Sequence, residues 1–273
     1  MRLTVFILGL GLALGIYAQE PSDPPAETVD PTPTAPTLPP DTVLERHLPA
    51  EQQRRLGEAE NAFLTLWLPA ARAEPRGAIL LVGDHGEHAD WPELLAPARR
   101  QLSEAGWNTL SMSLPAAAPV VFGLDDEAVA ERAGAREADL SARLQLGLDS
   151  LKGDSEGDLP TIIIARGQAA HWALKLDAEA LGIDALVLFR PRAPTMLERQ
   201  FAEQVAAWEK PLLELLPSAG GPRAGHHERA LAARRLDRSG YVQWHIGDLR
   251  GAPETQTILI RRLQGWIERI SAN

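Results

Sequence analysis

The residues most able to carry chemistry lie between Thr161 and Leu174, TIIIARGQAAHWAL. A short apolar run, a glycine turn and a helical stretch follow one another. In this strand–turn–helix layout the pattern G-x-S-x-G lifts a serine nucleophile onto a sharp, strained turn. The residues at that pattern are Ala165, Arg166, Gly167, Gln168 and Ala169. Gly167 stands at the nucleophile position and has no side chain to attack with. Glycine tolerates strained backbone without a Cβ clash, so such a turn survives the loss of its nucleophile. Gln168 follows directly. His171 lies four residues past Gly167, on the same helical face. Both are candidates to line a pocket mouth, although a buried, hydrogen-bonded histidine is the plainer reading of His171.

A second group sits in the loop GDHGEHAD, where Asp84, His85, Glu87, His88 and Asp90 are dense in possible metal ligands. The loop follows an apolar run, so Asp84 and His85 join the pocket candidates. It contains no H-E-x-x-H, and a solvated polar loop is the plainer reading. Ser111 and Ser113 could reach a cleft, but no base is placed to activate either. Arg190 and Arg192 flank Pro191 as an anion clamp or an ordinary solvated turn. His226 and His227 are adjacent on a helical stretch, so their rings diverge. No residue set calls for a cofactor, and none is assigned as a metal site.

These groups need a scaffold, and the hydrophobic pattern supplies one. Gly77–Val82, Trp107–Leu114, Pro160–Ala165, Ile183–Phe189, Pro211–Leu216 and Tyr241–Ile246 read as strands. Phe63–Leu68 is apolar on both faces. Helical stretches separate them: Asp90–Ala105, Asp125–Leu151, Gly167 to about Leu181, Leu197–Trp208, His226–Leu236 and Thr255–Ile270. Asp90 is placed to cap its helix with Pro92 in the first turn, and Pro97 kinks it or marks its true start. Leu94, Ala98, Leu102 and Ala105 share one face of it. Ile258, Leu263, Trp266, Ile267 and Ile270 stripe the last helix. Leu44–Glu58 is helical in composition. The seven tryptophans read mostly as core. Strands alternating with helices predict an α/β domain with a mostly parallel, doubly wound sheet. Ligands of such sheets bind beyond the carboxyl ends of the strands.

The N-terminus has its own logic. One positive charge at Arg2, the apolar run Leu3–Tyr17 and the small residue Ala18 have the layout of a secretory signal peptide over 1–18. The run is shorter than the roughly 20 residues of a membrane span, so no span is expected once it is cleaved; an uncleaved N-terminal anchor is the alternative reading. Residues 19–41 hold eight of the 22 prolines and read as a disordered linker. Residues 42–273 are the domain. Of the net charge of −10, Arg2 contributes +1 and Glu20, Asp23, Glu27, Asp30 and Asp41 contribute −5, leaving −6 for the domain. An acidic domain repels phosphate backbones, which disfavours nucleic acid as a partner. The absence of cysteine excludes disulfides, thiolate metal sites and cysteine nucleophiles.

Four pieces together carry a family resemblance. GAILLVGDHGEHADWPELLAPARRQLSEAGWNTLSMSLP, TIIIARGQAA, the strands DALVLFRPRAP and KPLLELLP, and the closing ILIRRLQGWIERI resemble an α/β hydrolase. More narrowly, residues 57–271 resemble an α/β-hydrolase-like family of unknown function from secreted Gram-negative proteins. GWNTLSMSLP is the most specific piece. The resemblance implies a single α/β-hydrolase-like domain, and it lets the triad be tested in the chain order Ser, acid, His. Gly167 replaces the serine. The loop PSAGGPRAG after Pro211–Leu216 has no carboxylate, Glu214 precedes it within the strand, and the loop after Phe189 reaches only Glu198. GDLRGAP after Tyr241–Ile246 has no histidine, and His245 lies inside the strand. All three positions fail together. Losing the nucleophile alone costs on the order of 10⁶ in kcat.

The sequence therefore predicts a periplasmic, non-catalytic binding or scaffold protein whose partner is another periplasmic protein or a small molecule. The competing expectation is an esterase-type hydrolase using Ser111 or Ser113, or a metal held by the Asp84–Asp90 loop.

Overall fold

Residues 40–58, 61–117, 119, 121–153, 158–193, 198–218 and 225–272 are described by a computed structural model, in which they belong to one compact unit. The expectations for residues 1–18, and for the linker as far as residue 39, fall outside the described residues. Pro40 and Asp41 open helix α1 (Pro40–His47).

The apolar runs become strands because each is buried along nearly its whole length. They are β2 (Phe63–Leu68), β3 (Ala78–Gly83), β4 (Asn108–Ser113), β5 (Thr161–Arg166), β6 (Ala185–Phe189) and β7 (Leu212–Pro217). The sheet is closed at its edges by β1 (Gln53–Leu56) and β8 (Tyr241–Ile246), in the order β1-β2-β4-β3-β5-β6-β7-β8. From β4 to β8 the strands run parallel, while β2 is antiparallel to both its neighbours. The fold class is the predicted one: an α/β domain with a mostly parallel sheet covered on both faces.

Alternation along β3 divides the core. Leu80 and Val82 face Leu144, Leu148 and Phe201, which come from α3 (Asp126–Gly153) and α5 (Glu198–Ala207). Ile79 and Leu81 face Leu95, Leu102, Leu263 and Trp266, which come from α2 (Leu95–Glu104) and α7 (Pro253–Ser271). The short α4 (Ala169–Ala173) follows β5, and α6 (His226–Arg235) lies between β7 and β8.

Several local readings change. Leu44–Glu58 is not helical throughout, since Gln53–Leu56 pairs antiparallel with β2. Gln53 Nε2 donates to the Glu45 and Leu48 carbonyls and turns the chain, and Arg54 lies 4.2 Å over the Trp67 ring. Such a polar strand is typical of a sheet edge, and its pairing partner lies outside any local pattern. Asp90 does not cap α2, because its carboxylate pairs with the buried Arg99. Pro97 instead falls in the first turn, where a missing N–H costs nothing. The predicted helix to Leu181 stops at Ala173. A separate turn begins at Asp177, whose Oδ1 accepts from Ala180 N at 3.0 Å. On α7, Ile258 points outward while Leu259 and Ile260 are buried. Trp67, Trp107, Trp208 and Trp266 are core residues.

Candidate functional site

The carboxyl ends of β3, β5 and β6 meet at one place. Asp84 follows β3, Gly167 follows β5 and Arg190 follows β6. Backbone bonds lock them together: Gly167 N donates to Phe189 O at 3.0 Å, Arg190 N to Leu215 O at 2.8 Å, and Arg192 N to Gly167 O at 3.0 Å. Gly167 has φ +57°, a left-handed conformation that glycine adopts without penalty.

The space beside Gly167 is filled. Asp84 is buried, and a Cβ built on Gly167 would collide with its carboxylate. Asp84 Oδ1 accepts from His85 N at 2.8 Å and from Gln168 N at 3.0 Å. Arg192 pairs with Oδ2. Around this carboxylate runs a chain of ion pairs. Arg166 binds Glu87 and Glu93, each at 2.6 Å, and Arg190 binds the other oxygen of Glu93 at 2.5 Å. Both guanidinium groups also sit about the Phe189 ring, at 5.0 and 5.2 Å from its centroid. Glu87 further accepts from Asp84 N at 2.8 Å, tying the network to the end of β3.

A cleft of about 640 Å³ opens above these groups. Arg166, Arg190, Arg192 and Arg250 line it with Asp84, Glu87 and Glu93, and Trp91, Pro92 and Leu249 give it an apolar wall. Arg190 is held at φ +45° and Leu94, next to Glu93, at φ +76°. Leu94 N donates to Gln256 Oε1 at 3.0 Å. Two of the three described non-glycine residues with positive φ therefore stand beside this cleft; strained backbone of this kind concentrates at functional sites.

Each sequence candidate can now be placed. Asp84 lines the cleft. His85 and Gln168 contribute backbone N–H groups, and the His85 ring turns away, with Nδ1 2.6 Å from Pro115 O. His171 does not line the cleft: it is fully buried in α4, with ring edges against Trp172 and Phe201. Its helical position relative to Gly167 suggested a pocket mouth, but α5 covers that face.

Ser111 Oγ is buried and donates to Ala89 O at 2.5 Å. The acids of the Asp84–Asp90 loop are directed to different arginines: Asp84 to Arg192, Glu87 to Arg166 and Asp90 to Arg99. Among the described residues no three His, Asp or Glu side chains converge as a metal site. The loop after β7 lies outside the described residues over 219–224. Sequence reasoning overlooked Glu93 and Arg250, gave Arg166 no role, and weighed Glu87 only as a possible metal ligand rather than as the partner of Arg166. The available signal was their position at strand ends or in the adjoining loops, with unlike charges facing across the sheet.

The buried His171 predicts a pH effect. Burial, reinforced by Lys175, lowers its pKa from 6.5 to about 4, against smaller raising contributions from Gln204 and Glu137. The folded state thus keeps the ring neutral where the unfolded chain protonates it. Stability is lost as pH falls below about 6.5 and the loss levels off near pH 4. His171→Leu should lose about 2 kcal/mol less than the wild type between pH 7 and pH 5. Urea unfolding at the two pH values checks this; equal losses would refute it.

Comparisons with known proteins agree with the architecture. No curated protein matches the chain. Among solved structures, the esterase domain of a Rhodothermus marinus protein has a TM-score of 0.54 at 13% identity, covering 80% of this chain and 99% of that one. The Pyrococcus furiosus esterase Pf2001 has a TM-score of 0.55 at 12% identity, covering 80% and 89%. A dienelactone hydrolase-like promiscuous phosphotriesterase, P91, from metagenomic libraries gives 0.54 at 13%, covering 78% and 96%. At such identities the shared property is the fold, which is α/β-hydrolase-like. Residues 2–139 and 123–269 match one family model, so the chain belongs to the family described as protein of unknown function, DUF3530.

Proposed function

We propose that this chain is a non-catalytic α/β-hydrolase-like protein of the bacterial envelope, which uses its cleft to bind rather than to hydrolyse. One observation carries the reading. The Asp84 carboxylate occupies the place of a nucleophile side chain and accepts hydrogen bonds from His85 N and Gln168 N. In this fold the N–H after the nucleophile and an N–H from the loop after β3 form the oxyanion hole. Donors aimed at a developing oxyanion are among the largest contributions to catalysis. Here they are saturated by an internal anion, and the turn at Gly167 is a degenerate elbow. The signal-like segment of residues 1–18 supports export to the periplasm, where the partner is a small molecule or a protein.

The test uses the full-length chain expressed in a Gram-negative host and recovered from the periplasm, with its N-terminus read by mass spectrometry. Gln19 is the expected first residue. Fluorophosphonate labelling and short-chain ester turnover, with and without chelator, should match a heat-killed control. Covalent labelling, or turnover above that control, would overturn the proposal.

A further inference from the structure

We infer that the cleft is an anion site that takes a small organic acid, its anionic head on Arg192 and Arg250 and its apolar body against Trp91, Pro92 and Leu249. This deepens the binding reading and rests on it.

The electrostatics point one way. Four arginines and three carboxylates line the cleft, in a chain whose net charge is −10. Local positive charge against an acidic background needs a reason. Arg166 and Glu93 are committed to the ion-pair network, but three guanidinium groups keep capacity. Among the described residues Arg192 has only Asp84 as its ion-pair partner, and its side chain is 65% exposed. Arg250 is exposed and makes no ion pair among the described residues; its hydrogen bond to Asp248 is made by its backbone N–H. Arg190 Nε is buried and has no hydrogen-bond partner among the described residues. A buried donor without an acceptor costs about 1–3 kcal/mol. A bound anion brings acceptors to the exposed Arg192 and Arg250 guanidinium groups.

The cleft already holds a carboxylate of its own. Asp84 sits between two backbone N–H groups and Arg192, which shows that this end of the sheet stabilises a carboxylate oxygen. A guanidinium fork matches a carboxylate or phosphate in two parallel bonds. With Oδ2 of Asp84 on one side of Arg192 and the open cleft on the other, an incoming anion can share that guanidinium. The volume of about 640 Å³ lies within the range of small-molecule pockets. The wall of Trp91, Pro92 and Leu249 then suits an apolar body attached to the charged head.

Isothermal titration of the full-length protein with hexanoate, hexyl phosphate, hexan-1-ol and hexylammonium tests the inference. Hexanoate and hexyl phosphate should bind, and the tighter of the two identifies the head group as carboxylate or phosphate. Hexan-1-ol should bind at least about tenfold more weakly, consistent with loss of a charge-assisted hydrogen bond. Arg250→Ala, which removes an unpaired surface cation, should weaken the anions about fivefold or more without shifting thermal unfolding. Arg192→Lys keeps a charge for Asp84 and should weaken them too, because a point charge replaces the fork. Equal binding of hexan-1-ol, no binding of either anion at millimolar concentration, or unchanged affinity in both variants would overturn the site. Ester turnover measured in the same samples separates the two proposals. Failure of binding without turnover removes the anion site alone, and turnover with anion binding removes only the non-catalytic reading.

Discussion

Gly167→Ala should destabilise the domain by about 2–5 kcal/mol. Two costs combine. A residue with a Cβ pays roughly 1–2 kcal/mol at a left-handed φ, and Gly167 sits at φ +57°. The new methyl also collides with the Asp84 carboxylate, and overpacking costs about 1–3 kcal/mol. Asp84 cannot move aside freely, because His85 N, Gln168 N and Arg192 hold it. Asp84→Ala should itself cost roughly 2–3 kcal/mol, since it strips two partly buried N–H groups of a charged acceptor. The double variant should then be more stable than the sum of the singles predicts by about 1–3 kcal/mol, because the collision vanishes with the carboxylate. Urea unfolding of the four proteins checks this. Additivity within about 0.5 kcal/mol would mean that the two residues do not compete for one space. Gly167→Ser, with no base beside it, should show no ester turnover.

The second large effect lies away from the cleft, at Glu214. Within β7 this carboxylate is fully buried, on the face opposite Leu213 and Leu215. Arg229 on α6 grips Oε1 through Nε at 2.8 Å and through Nη2. Tyr241 OH donates to Oε2 at 2.5 Å and Gln243 Nε2 at 2.9 Å. Burial first, then the Glu214 charge, pushes the Tyr241 phenol above its ordinary range, so it stays a donor. Arg229→Met should cost about 3–5 kcal/mol, because it leaves a buried carboxylate without its cation. Glu214→Leu combined with Arg229→Met should recover most of that loss, since no charge is then buried. Thermal and urea unfolding of both variants give the comparison. A double variant as unstable as the single would show that the pair holds α6 by more than charge balance.

Much of the fold was legible in one dimension. Burial on both faces makes the strands continuous apolar runs, and that property is local. So AILLVG, TIIIAR and ALVLF declare themselves, and their alternation with helical stretches predicts the parallel sheet. The α/β class and the glycine at the sharp turn needed no coordinates. The edge strand Gln53–Leu56 was hidden because its polar residues are ordered by a partner seven to thirteen residues away. Similarly, Asp90 resembled a helix cap until Arg99 claimed it.

The sequence by itself determined the architecture and the missing side chain at Gly167, because both depend on residue type along a short window. Only the tertiary structure decided what stands in the gap. Asp84 and Gly167 are 83 positions apart, Glu93 and Arg190 are 97 apart, and neither pair shares a local pattern. Parallel pairing of β3 with β5 and of β5 with β6 brings their ends to one level. A loop carboxylate that composition marks as solvated thereby becomes a buried anion held by two backbone N–H groups and an arginine.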